Sequence, residues 1–188
     1  LKEGQLTNFN IFLLILFVIA LAQKNTSIVK NTKEAAPDVK EFVEDYKKLM
    51  KGILDEKVVD SVKITMTDLP KPKVGLCWPG QDPKKIQLDI RGWESYDHIK
   101  KEVLIFHELG HCTCGLDHNH FTGNYRKETG VPEKKEDRLN SGFLEDGCPT
   151  SIMHPILISR ECYARHRDHY RYELHLRCYA EVARKKKN

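Results

Sequence analysis

Three histidines and a glutamate fall close together in this chain: His107-Glu108-Leu109-Gly110-His111, then Cys112-Thr113-Cys114-Gly115-Leu116-Asp117-His118. Residues four apart share one face of a helix, so His107 and His111 can present two nitrogens to a single Zn²⁺. Glu108, beside the first of them, is placed to hold a water and take its proton. Gly115 tolerates a turn that other residues resist, which swings the chain back and offers His118 as a third nitrogen. Three protein ligands plus water describe a catalytic zinc site, because structural sites are usually closed by four. The chemistry these residue types suit is metal-assisted hydrolysis.

A bare H-E-x-x-H also fits two solvent-facing histidines on an ordinary helix. Against that, Val103-Leu104-Ile105-Phe106 just ahead is apolar, as expected of a helix buried under an active site. The Gly-x-x-His extension and a later Ser151-Ile152-Met153-His154-Pro155 are two further features of the same kind. Together these elements resemble the metzincin clan of zinc metallopeptidases, whose signature is H-E-x-x-H-x-x-G-x-x-H followed by a methionine-containing turn.

The chain departs from that signature by one residue. At the usual spacing the glycine slot falls on Cys114 and the third-ligand slot on Asp117. Shifted by one, they fall on Gly115 and His118. Either Asp117 supplies an oxygen at regular spacing, or one extra residue enters the turn and His118 binds. The second reading is preferred, because glycine and histidine shift together; His120 reads as an exposed loop residue. The resemblance implies that Met153 forms a hydrophobic floor under the metal without binding it, and that His154 is no ligand. Taken alone, an Ile-Met pair is more often plain core.

The resemblance also implies the activity: peptide-bond hydrolysis on a protein or peptide substrate, with Zn²⁺ as cofactor and Glu108 as general base. In some clan members a tyrosine stabilises the oxyanion, a role open to Tyr163 and Tyr170, although core packing suits both better. Two other readings compete. One is an inactive zinc-binding domain that recognises a partner, which would have no need of Glu108. The other is a structural zinc site closed by a cysteine.

The elements that must position these groups follow from periodicity. Apolar residues from Val39 to Ile53 recur at helical spacing behind Pro37, and Val62–Met66 reads as a first strand. Val74–Trp78 and Lys85–Ile90 read as two strands joined by a Pro-Gly-Gln-Asp turn. By resemblance, Lys85–Ile90 is the edge strand that pairs with extended substrate; an ordinary sheet strand is the alternative. A helix from about Glu94 to Cys114 carries the motif, Asn119–Gly147 is mostly loop, and Arg160 to about Arg184 is a long helix. On it His166, His169 and His175 read as packing or surface residues. The fold class expected is α/β and metzincin-like: a small twisted sheet, an active-site helix, a methionine turn and a carboxy-terminal helix.

Residues 1–22 read as a signal peptide, or else an amino-terminal membrane anchor, because Ile11–Ala22 is unbroken apolar sequence ending in small residues. That run is short of the roughly 20 residues a membrane span needs. Residues 23–35 are expected to be flexible, with a glycosylation sequon at Asn25-Thr26-Ser27, and 36–188 to form the catalytic domain. A secreted or extracytoplasmic location agrees with six cysteines, which allow three disulfides in 15 pairings. Cys112 and Cys114 point apart on a helix and should not pair, and Cys162 and Cys178 are too far apart along theirs. Cys148 is expected to tie the methionine turn to Cys112 or Cys114. A net charge of +4 without stacked aromatics gives nucleic-acid binding no support.

Overall fold

Lys85–Asp89 alternates apolar and polar side chains, and Ile86 and Leu88 are fully buried. That pattern places the strand inside a sheet, covered by helices on one face. The computed structural model describes residues 33–118 and 142–187, and its elements run β1 (Lys33–Glu34), α1 (Val39–Leu49), α2 (Glu56–Asp60), β2 (Lys63–Thr67), β3 (Gly75–Trp78), β4 (Lys85–Asp89), α3 (Ile90–Ser95), α4 (His98–Leu109), a π-helical turn (Gly110–Cys114) and α5 (Arg160–Lys185). The expected signal peptide or anchor at 1–22, the sequon, His120 and most of the expected loop lie outside the described residues.

The protein is a mixed α/β fold built on a small four-stranded sheet in the order β1-β2-β4-β3. β2 and β4 are parallel, with Ile64 beside Ile86, while β1 and β3 are antiparallel to their neighbours. Two expectations are corrected here. Lys85–Asp89 is an inner strand, and the edge belongs to Gly75–Trp78, because β3 folds back on β4 as a hairpin while β4 takes β2 on its other side. Lys33–Glu34, expected to be part of a flexible segment, instead pairs with Met66 and Thr65.

The motif helix also starts later than expected. Ser95 ends α3, Tyr96 is extended, and the Asp97 carboxylate accepts from the Lys100 N–H to begin α4. This is an N-cap, satisfying one of the amide donors a helix start leaves unpaired. Every residue from Glu102 to Leu109 is buried, so α4 is enclosed by sheet, α1 and α5 rather than lying on the surface. α1 packs Phe42 and Tyr46 inward; the Tyr46 ring meets Phe106 edge-on and its hydroxyl reaches Thr113 Oγ1 at 2.9 Å. α5 buries Tyr163, Tyr170, Leu174 and Cys178 along one stripe. Its charged side locks onto α4 and α1, with Arg167 and Arg171 both donating to the buried Glu102 and Arg171 also to Asp45. Among the described residues no helix is long and apolar enough to cross a membrane.

Candidate metal centre

The one-residue departure in the motif has a local structural cause. After Leu109 the helix widens into a π turn, and a π bulge is a single residue inserted into an α-helix. The turn closes on Gly115, whose φ of 74° and ψ of 33° lie in the left-handed region that glycine adopts without strain. Leu116 N–H then reaches back six residues to the Gly110 carbonyl at 3.2 Å. That is one residue more than the closing bond of an ordinary glycine-capped helix. The extra residue is thus absorbed in the helix end, and His118 returns to the histidine face.

There the side chains converge. His107 Nε2 stands 3.1 Å from His111 Nε2 and 3.2 Å from His118 Nε2. The three ligand atoms form one group within 4.8 Å of each other, and Asp117 does not belong to it. The first two rings have their other nitrogens committed. His107 Nδ1 lies 2.8 Å from the Ile152 carbonyl and His111 Nδ1 2.5 Å from the Leu116 carbonyl. A carbonyl only accepts, so each Nδ1 carries the proton and each Nε2 presents a lone pair. Two lone pairs facing at 3.1 Å repel unless a cation lies between them. Nitrogens held tetrahedrally about 2.0–2.1 Å from a metal stand about 3.3–3.4 Å apart, close to what is observed. Burial pushes His107 down to about 3 and lowers His111 as well, which keeps both rings neutral and able to ligate.

Glu108 projects from the same helix toward β3. Its carboxyl occupies the space a side chain would fill at Gly75, so only glycine fits that strand position. Burial pushes the carboxyl up to about 8, and a hydrogen bond from the Cys77 backbone opposes the shift. A base in this position would ionise readily only with a compensating positive charge nearby.

Met153 is fully buried beneath Gly110, where an added Cβ would lie 2.8 Å from its sulfur. Its N–H donates to Ser151 Oγ at 3.1 Å, and the preceding residue, Ile152, supplies the carbonyl that orients His107. The turn therefore orients the His107 ring as well as forming an apolar floor. His154 is buried against Phe143, engages the Ile156 backbone through Nδ1, and lies outside the ligand group.

A cleft of about 630 Å³ opens over the histidines, walled by β3 on one side and by Pro155–Leu157 on the other, with Tyr96 and Leu116 on its lining. Tyr163 and Tyr170 do not line it. Their hydroxyls donate into the core, to Glu102 at 3.0 Å and to the Pro149 carbonyl at 2.7 Å. His169 and His175 bond the backbone of Thr150 and Leu49, and His166 pairs with Asp146.

The cysteines form Cys77–Cys112, Cys114–Cys178 and Cys148–Cys162. Cys112 and Cys114 do not pair with each other, nor Cys162 with Cys178. The expected link from Cys148 to the active-site helix is corrected, because Cys148 meets Cys162 at the start of α5. No thiol remains, so the reading of a site closed by cysteine fails. A second grouping, Asp146, Cys148 and His166, also cannot use sulfur, since Cys148 is in a disulfide.

Several residues around the site carried no sequence signal of their role. Gly75 and Gly110 are recognisable only from what presses on them, and Tyr96 only from the helix break beside it. No family model, no curated protein and no solved structure matches this chain.

Proposed function

We propose that the chain is a zinc-dependent peptidase of metzincin type. One observation carries the reading: the Nε2 atoms of His111 and His118 converge on that of His107 at 3.1 and 3.2 Å on the lining of a cleft, with a buried carboxylate on the residue next to His107. Three imidazoles and an open side suit zinc better than calcium or magnesium, which prefer oxygen. When bound, zinc would polarise a water and the scissile carbonyl and stabilise the negative charge that develops.

The chain's own groups supply the rest. The Glu108 carboxylate takes the proton of the attacking water and delivers it to the leaving amine. Its burial keeps bulk water from competing for that proton. β3 is an edge strand on the cleft wall, so its outward backbone groups can pair with an extended peptide and hold the scissile bond over the histidines. Ile152 and Leu116 keep His107 and His111 in the tautomer that ligates. Three disulfides are typical of extracellular proteins, which supports a secreted or extracytoplasmic setting.

The test compares the oxidised wild type with Glu108→Ala for zinc content and for cleavage of an unstructured protein. Both should bind one equivalent. Only the wild type should cleave, in a chelator-sensitive way, with the variant slower by about 10²–10⁴. If zinc-loaded wild type cleaves nothing in a broad peptide panel, the peptidase reading falls and a zinc-binding interaction domain takes its place.

A further inference from the structure

We infer that Arg177 is a positioning residue for the metal site, holding two of its three ligands in register from the carboxy-terminal helix. The inference rests on the reading of His107, His111 and His118 as ligands. Arg177 lies on α5, sixty residues from the turn that carries His118. One arm of its guanidinium, Nη2, donates to the Asp117 carbonyl at 3.1 Å, on the peptide that leads into His118. The other, Nη1, donates to Ser151 Oγ at 2.9 Å. Ser151 also accepts the Met153 N–H, which shapes the turn whose Ile152 carbonyl holds His107. A single rigid fork thus spans the seat of the first ligand and the seat of the third.

Other restraints among the described residues act on neighbouring positions. The Cys114–Cys178 disulfide and the Lys185 ammonium, which donates to the Cys114 carbonyl at 2.9 Å, hold the π turn before Gly115. His111 holds the Leu116 carbonyl. Arg177 holds the next carbonyl, two residues beyond the glycine. Glu173, one turn back along α5, accepts from Arg177 Nη1 at 3.3 Å and fixes the guanidinium plane. Lysine substitutes poorly, because one ammonium lacks the fixed planar spread by which two guanidinium nitrogens reach both acceptors.

The experiment measures Zn²⁺ affinity by chelator competition for wild type, Arg177→Gln, Arg177→Lys and Arg184→Gln. The last removes a cation from the same helix that pairs only with Glu181 among the described residues. Groups that orient metal ligands typically cost about 10–100-fold in affinity when removed, and that loss is expected for Arg177→Gln. Arg177→Lys should recover only part of it, and Arg184→Gln should match wild type. The visible bands of the Co²⁺-loaded protein should shift in the Arg177 variants, which a stabilising role alone would not produce. Should Arg177→Gln fail to fold, Arg177→Lys carries the same test with the charge retained. Wild-type affinity and unshifted bands in the Arg177 variants overturn the inference. So does full recovery in Arg177→Lys, or an equal loss in Arg184→Gln. Wild type that binds no metal at all overturns the metal-site reading instead.

Discussion

Gly110 and Met153 meet directly beneath the three clustered histidines, and a two-residue cycle tests how tightly that floor is packed. In Gly110→Ala the new methyl would lie 2.8 Å from Met153 Sδ, 3.4 Å from its Cε and 3.3 Å from Leu174 Cδ1. Ordinary carbon contacts sit near 3.5–4.0 Å, so the sulfur is short by roughly 1 Å. Neither Met153 nor Leu174 has exposed surface to move into. Overpacking of this kind costs about 1–3 kcal/mol, offset by up to about 1 kcal/mol from replacing a helical glycine. Met153→Ala alone should cost about 2–5 kcal/mol through the cavity it leaves. Combined, the methyl enters that cavity and the clash with sulfur is gone, leaving only the 3.3 Å approach to Leu174 Cδ1. The double variant should therefore be more stable than the sum of the singles predicts, by about 1–3 kcal/mol. Urea unfolding of the metal-free, oxidised protein measures all four corners. Additivity within about 0.5 kcal/mol would mean the two residues do not touch, and the placement of the methionine turn under the helix would be wrong.

Three further outcomes are expected. Replacing Cys77 and Cys112 by serine opens a loop of 35 residues' separation and should cost about 4 kcal/mol on the chain-entropy account, read from the denaturant midpoint. Tyr170→Phe leaves the Pro149 carbonyl without its donor and should cost about 1–2 kcal/mol while leaving peptide cleavage unchanged; lost cleavage would place that hydroxyl in the cleft after all. Burial works against the Asp89 charge, yet the N–H groups of Gly92 and Leu69 together with the Arg91 guanidinium outweigh it and hold the carboxyl below the usual range. Its contribution is therefore full above about pH 4 and lost as the pH falls through the lower folded value, so Asp89→Asn should flatten the stability profile in that acid window.

The sequence shows some parts of this arrangement and hides others for physical reasons. His107, Glu108 and His111 are legible because their relation is local, set by one turn of helix. His118 is legible only with an alternative beside it, since a π turn leaves no composition mark and Gly115 is its single sign. The long α5 is readable over nearly its whole length, because Tyr163, Tyr170, Leu174 and Cys178 keep one stripe. Strand order is not, because β3 and β4 are similar short runs and their neighbours are chosen by distant contacts. The helix start at Asp97 had a usable signal, an aspartate before a helical run, masked by the apolar residues of α3. Arg177 had none; apart from Glu173 one turn back, the groups it holds lie 26 and 60 residues away.

Cys112 and Cys114 flank one threonine and leave in different directions, toward β3 and toward α5. If an oxidising chain exchanged those two partners, the segment that carries His111 would have to rotate to follow them. The scrambled isomer would keep its mass and its count of bonds, yet its histidines would no longer meet. If the three histidines hold a metal as proposed, its uptake would then sort correctly oxidised molecules from miswired ones, a proofreading of the protein's own maturation.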